Sequence, residues 1–245
     1  MAHLPPVFQW VLLAIVAFVA ATIAAISGFG GAAVLLPALV ALFGMREAIP
    51  ILTVAQLIGN GSRVWFNRRE LNWAVVGWFT IGAVPLGLVG GYVFATAPLA
   101  ALTRLLGVFL LFTVVWRHLR KHKPGRPPLQ SFAAIGAGAT FLSALLGSVG
   151  PIMAPFFLAY GLLKGAYIGT EAMSTVVMHI TKLVAYRQTA VLTFSAVAVG
   201  LALGPIMVLG SFVGKKVVDR LSERVFVFII DAVLIVAGLI FMVRA

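Results

Sequence analysis

The chain is a succession of apolar runs that reach about 20 residues, the length with which a helix crosses the hydrocarbon core of a bilayer. Short polar links and glycine-rich breaks separate these runs. The runs lack the alternation of apolar and polar residues that is typical of strands in outer-membrane barrels. The pattern therefore predicts an all-α, polytopic membrane protein.

Five helical segments are expected on each side of a basic linker. Those of the first half are Pro6–Ile26, Ala32–Phe43, Ala48–Phe66, Trp73–Phe94 and Leu99–Trp116. Those of the second half are Phe132–Leu146, Pro151–Tyr160, Ala166–Tyr186, Val191–Val213 and Ser222–Val243. Residues 1–117 then form the first repeat in the membrane, residues 118–130 a cytoplasmic linker, and residues 131–245 the second repeat.

Two glycine-rich breaks interrupt the apolar pattern, Ser27-Gly28-Phe29-Gly30-Gly31 and Gly147-Ser148-Val149-Gly150-Pro151. A helix that begins at membrane depth presents N–H groups that lipid cannot satisfy. The positive end of its dipole attracts an anion, as in the discontinuous helices of many secondary transporters. The breaks therefore predict short helices that begin near the midplane, with an anion site between them.

The two halves match each other in register, which indicates an internal repeat. The matched pairs include Gly28 with Gly147, Gly31 with Gly150, Asn60 with His179, and Arg63 with Lys182. The link after the third segment is basic in the first half (Arg68, Arg69), whereas the link after the fourth is basic in the second half (Lys215, Lys216, Arg220, Arg224). Because positive links mark the cytoplasmic side, this reversal favours inverted repeats. The alternative is eight transmembrane helices, with the first two segments of each half forming one bent helix.

The composition excludes several classes of function. Eighteen Lys and Arg against six Asp and Glu give a net charge of +12, but most of the positive residues lie in short links, so topology explains them and no nucleic-acid partner is expected. The absence of cysteine excludes a disulfide framework and thiol chemistry. The chain has no zinc-protease, Walker or serine-hydrolase motif. We therefore expect no enzyme, no metal and no cofactor.

Polar residues follow one face of the helix after each break. After the second break they are Glu171, Ser174 or Thr175, Met178 and Lys182, with His179 beside them; after the first they are Thr53, Gln56, Asn60 and Arg63. Charge at this depth is costly and indicates function. The alternatives are that Glu171 forms a structural ion pair with Lys182 or His179, that His179 only packs, and that Arg63 snorkels to the interface. Asp231 is interpreted as a residue that bonds to a neighbouring helix.

The motif Ile26-Ser27-Gly28-Phe29-Gly30-Gly31 before Pro37, its echo Leu145-Leu146-Gly147-Ser148-Val149-Gly150-Pro151 before Pro155, and the basic central linker resemble the TauE/SafE family of membrane exporters for sulfite and organosulfonates. The resemblance covers essentially the whole chain. It implies efflux of a small sulfur oxyanion, driven by an ion gradient.

These observations lead to one hypothesis: a multi-pass secondary transporter of the inner membrane that exports a small anion, such as sulfite or a short organosulfonate, by alternating access. The substrate-binding candidates are Ser27, Gly28, Gly30, Gly31, Gln56, Asn60, Arg63, Gly147, Ser148, Gly150, Ile152, Ser174, Thr175, His179 and Lys182. Glu171 or His179 would carry a coupled proton. Protons or the membrane potential would drive transport, and a homo-oligomer is left open. The alternatives are a passive anion channel and a non-transporting membrane subunit of a sulfur-metabolism enzyme.

Overall fold

The computed structural model describes residues 6–119, 126–217 and residue 235. These residues form nine α-helices: α1 (Pro6–Ser27), α2 (Gly31–Phe43), α3 (Met45–Phe66), α4 (Trp73–Thr96), α5 (Leu99–Leu119), α6 (Ser131–Leu146), α7 (Gly150–Ala159), α8 (Lys164–Gln188) and α9 (Phe194–Val217). The predicted all-α class is confirmed, and each helix matches a predicted segment. The tenth segment, Ser222–Val243, with its Asp231, lies outside the described residues.

The helices are apolar and expose apolar side chains, as expected of a protein that is surrounded by lipid. Among the described helices, α1, α4 and α9 are each long and apolar enough to cross a membrane, and α2, α6 and α7 are shorter apolar helices. Large apolar side chains such as Phe194 and Leu163 are exposed on the outside. Several polar residues of α3 and α8 are instead buried, among them Thr53, Gln56, Asn60, Arg63, Glu171, Ser174, His179 and Lys182. Because α3 packs against α8, the two polar stripes meet inside the protein.

Helix α3 defines two opposite faces of the molecule. Its 22 residues make it about 33 Å long. Near its start, the Glu47 carboxylate accepts a hydrogen bond from the Thr193 hydroxyl at 2.9 Å. At its end, the Phe66 carbonyl accepts one from Lys215 Nζ at 3.0 Å. We call these ends the Glu47 face and the Lys215 face.

Each glycine break joins two helices into a hairpin. Trp10 of α1 lies 5.9 Å from Phe43 of α2, measured between ring centroids, close to the Glu47 face. Helices α1 and α2 therefore turn back on each other, and their interpretation as one bent helix is wrong. In the second half, the ring of Phe132 in α6 lies 5.4 Å from that of Tyr160, the residue that directly follows α7.

The two hairpins enter the protein from opposite faces. The α1–α2 hairpin starts at the Glu47 face, whereas α7 leads into α8, where Gly165 contacts the side chain of Glu70 just beyond the end of α3. Inverted repeats require this arrangement. Inversion of the complete repeats and the boundaries at 118–130 stay predictions, because the last segment of the second repeat lies outside the described residues.

Glycines fasten each hairpin to the opposite half of the chain. Helix α6 packs on α4, where Gly136 lies against the backbone of Phe79, and α1 packs on α9, where Gly210 lies against the carbonyl of Phe18. Small residues let helix backbones approach closely in membranes, where packing drives association. The first helix of each hairpin is thereby held in place.

We expect Gly136→Ala to destabilise the protein by about 1–3 kcal/mol, because the added Cβ would overlap the backbone of Phe79. Gly138 is the matched control: an added Cβ there meets no described atom within 4 Å. Gly138→Ala should be neutral or stabilising by up to about 1 kcal/mol, since alanine favours the helix. Thermal unfolding of the purified variants in detergent measures both effects, and equal midpoints would contradict this packing.

Candidate functional site

A cavity lies between the two glycine breaks in the centre of the helix bundle. It encloses about 420 Å³ of space between its lining atoms, open solvent included. Residues 28–32 and 147–150 line it together with side chains of α3 and α8. The predicted site residues that line it are Gly28, Gly30, Gly31, Gln56, Asn60, Arg63, Gly147, Ser148, Gly150, Glu171, Thr175 and His179. That these residues bind a substrate stays a prediction.

Two helix starts meet at this cavity. Helix α2 begins at Gly31 and α7 at Gly150, and neither N-cap residue, Gly30 or Val149, provides a side-chain hydrogen bond. Gly30 has φ +93°, a left-handed conformation that glycine adopts without strain. The first N–H groups of a helix have no partner within it, and they lie at the positive end of its dipole. The cavity therefore receives two uncapped, positively polarised helix ends.

Arg63 connects the end of α1 to the buried acid of α8. Its guanidinium donates to the carbonyls of Ala24 at 3.1 Å and Gly28 at 2.9 Å. It also donates to the side-chain oxygen of Asn60, and its Nη1 lies 3.5 Å from Oε2 of Glu171. The side chain is buried, so the alternative that Arg63 snorkels to the interface is wrong.

Glu171 uses its two carboxylate oxygens differently. Oε1 accepts a hydrogen bond from the Thr175 hydroxyl at 3.1 Å, whereas Oε2 faces Arg63 and has no hydrogen-bond partner within the described part of the chain. Among those residues its ion pair is with Arg63, from the other half, and not with Lys182 or His179. The pair therefore joins the two halves at the cavity wall.

Two further polar atoms in the wall lack partners. Nε2 of Gln56 and Nδ1 of His179 are buried, and neither has a hydrogen-bond partner among the described residues. Leaving such atoms unpaired costs about 1–3 kcal/mol each, so native proteins rarely do it without an occupant. Both side chains line the cavity, so their unpaired atoms are available to a polar ligand.

Lys182 lies behind the wall and not in it. It is fully buried, and its Nζ donates to the hydroxyl of Ser143 at 3.1 Å. Ser143 does line the cavity. The sequence analysis missed Ser143 because it stands in an apolar helix with no polar stripe around it. Only the packing of α6 and α8 brings it to the lysine.

Three other predicted residues lie outside the wall. The hydroxyl of Ser27 donates to carbonyls of its own segment, and that of Ser174 donates to the carbonyl one turn earlier. The side chain of Ile152 lines a separate apolar cavity between α6 and α7. Its N–H already donates to Val149 at 3.0 Å. These groups are therefore satisfied locally, and their contact with substrate stays a prediction.

Tyr167 is a second residue that the sequence analysis missed. It lies one turn before Glu171, between the cavity and the Lys215 face. Its hydroxyl donates to the carbonyl of Ser27 at 3.1 Å. Its ring covers Gly28, where φ is +80° and an added Cβ would come within 2.6 Å of the ring. No periodic pattern marks this residue, since it precedes the polar stripe.

Comparison with known proteins gives one match. A family model described as Sulfite exporter TauE/SafE matches residues 13–241. Curated proteins and solved structures give no match to the chain.

We expect Arg63→Gln and Glu171→Gln each to destabilise the protein by about 3–5 kcal/mol, because each leaves a buried charge without its partner. The double variant should lose less than the sum of the two. A double-mutant cycle from unfolding in detergent measures this coupling. Arg68→Gln is the control, since the Arg68 guanidinium lies exposed over the Trp65 ring, and additive losses would show that the pair is not coupled.

Proposed function

Because the chain belongs to the sulfite exporter TauE/SafE family, whose members are membrane transporters and not enzymes, we propose that it exports a small sulfur oxyanion by alternating access. Sulfite and short organosulfonates are the proposed substrates. The observation that carries this proposal is the central cavity, where two uncapped helix starts and Arg63 converge.

The charges around the cavity favour an anion. Arg63 supplies a positive charge that Glu171 balances, Lys182 supplies an amine donor, and both helix dipoles point their positive ends inward. Lys182 does not line the cavity and acts through the hydroxyl of Ser143, which does. The free N–H groups of Gln56 suit the oxygens of a sulfite or sulfonate group. A cation would meet repulsion from every one of these groups except Glu171.

Barriers on both sides favour a carrier over a channel. Toward the Glu47 face, the fully buried Leu36 and Leu52 lie against Gly147. Toward the Lys215 face stand Arg63 and Tyr167, both bonded to the end of α1. A passive anion channel with the same lining remains the alternative that the flux experiment below separates.

Competition for Arg63 offers a way to couple the anion to a proton. In the observed state Glu171 occupies the guanidinium. An arriving anion brings a second negative charge to the same place, and the repulsion is relieved if Glu171 or the neighbouring His179 takes a proton. Anion and proton would then occupy the site together.

We propose an orientation in the membrane from the distribution of the basic residues. Arg68, Arg69, Lys215 and Lys216 lie at the Lys215 face, whereas the Glu47 face carries Arg46 and Arg187. The excess of positive links assigns the Lys215 face to the cytoplasm. In a bacterial cell the inner membrane is the proposed location, and export would run from the Lys215 face to the Glu47 face.

In proteoliposomes, Arg63→Gln should lower sulfite flux to below about a tenth of wild type, since losing a charged hydrogen bond costs about 1.5–3 kcal/mol. Lys182→Ala should also lower sulfite flux. Arg68→Gln is the matched control and should retain flux. Full flux in both Arg63→Gln and Lys182→Ala for every sulfur oxyanion tested would contradict the site.

An imposed proton gradient should accelerate wild-type flux, because the carrier moves a proton with the anion. In Glu171→Gln or in His179→Ala that response should disappear. Flux that follows only the membrane potential in the wild type would instead indicate a channel. Absence of flux, together with co-purification of a soluble enzyme, would indicate a non-transporting subunit.

A further inference from the structure

A second, smaller cavity adjoins the first on the side of the Lys215 face. The space between its lining atoms is about 270 Å³, open solvent included. Arg63 lines both cavities. The second cavity is otherwise lined by Ala25, Phe66, Asn67, Ile168, Ser211 and Lys215. A solute that moves between the Lys215 face and the centre along this side therefore passes Arg63.

The side chains of Ser211, Lys215 and Asn67 each keep at least one N–H or O–H group that donates to no described residue. Ser211 is 2% exposed, and its hydroxyl makes no hydrogen bond to any described residue. The ammonium of Lys215 donates to the Phe66 carbonyl and has no ion pair with a carboxylate in the described ranges. Asn67 uses one N–H group on the carbonyl of Arg63, at 2.8 Å.

No acidic residue of the described ranges lines the cavity, so the side chains that do line it favour negative ligands. One ammonium, one hydroxyl and one amide N–H can each donate to a different oxygen of the same small oxyanion. We propose that this cavity is a second anion-binding site, where Lys215 holds the oxyanion before it passes Arg63 to the central cavity. This inference rests on the proposed function, which makes the Lys215 face the side from which substrate is loaded.

The natural absence of cysteine permits a sharp test. Lys215→Cys removes the charge, and alkylation with 2-bromoethylamine restores an amine through a thioether that sulfite does not cleave. Lys216→Cys is the matched control, because the Lys216 ammonium lies over the Phe212 ring at 4.4 Å and does not line the cavity. Each variant is reconstituted as the full chain, and the KM and maximal rate for sulfite are measured before and after alkylation.

The site predicts that Lys215→Cys raises the KM for sulfite about three- to tenfold, as expected for one partly screened charge, with little change in maximal rate. Aminoethylation should restore the KM, whereas neutral alkylation with iodoacetamide should not. Lys216→Cys should keep the wild-type KM throughout.

Two other outcomes separate the inference from its premise. If the wild type transports sulfite and both lysine variants match it, the second site is overturned while the proposed function stands. A rise in KM that aminoethylation does not reverse would also overturn it, because the effect would then not depend on the charge. If the wild type neither transports nor binds any sulfur oxyanion, the proposed function falls, and the second site falls with it.

Discussion

The absence of water from the hydrocarbon core constrains everything else in this structure, because each polar group placed there needs a partner inside the protein. The helices meet that demand by turning their polar stripes inward, so that α3 and α8 face each other. The starts of α2 and α7 stand apart, because no side chain caps either of them. Their convergence on one cavity is what makes the centre of the protein suited to an anion.

Arg63 contacts several parts of the site at once. It fastens the end of α1, neutralises Glu171 from the other half, and contributes to the walls of two cavities. A guanidinium can do this because its five N–H donors spread over a plane and lysine has only three on one atom. Arg63 therefore contacts the α1–α2 hairpin and α8 at the same time.

Close packing and an open centre coexist because different helices provide them. The first helix of each hairpin, α1 or α6, is pressed against α9 or α4 through glycines such as Gly136 and Gly210. The short second helices, α2 and α7, bring the helix starts to the cavity. The rigid contacts thereby position the polar ends without filling the space between them.

The sequence by itself determined the helices, the breaks and the inward polar stripes, because apolar length, glycine and helical spacing are local properties of the chain. It also predicted that Arg63, Glu171 and His179 share one site, and all three line the central cavity. Only the tertiary structure decided which charges pair. Spacing along a single helix pointed to Lys182 or His179 as the partner of Glu171, yet the partner is Arg63, which lies far away in sequence. Although Arg63 and Lys182 are matched by the repeat, one reaches the cavity and the other stops behind Ser143. The distances between helices that decide this are set by packing, which no local pattern records.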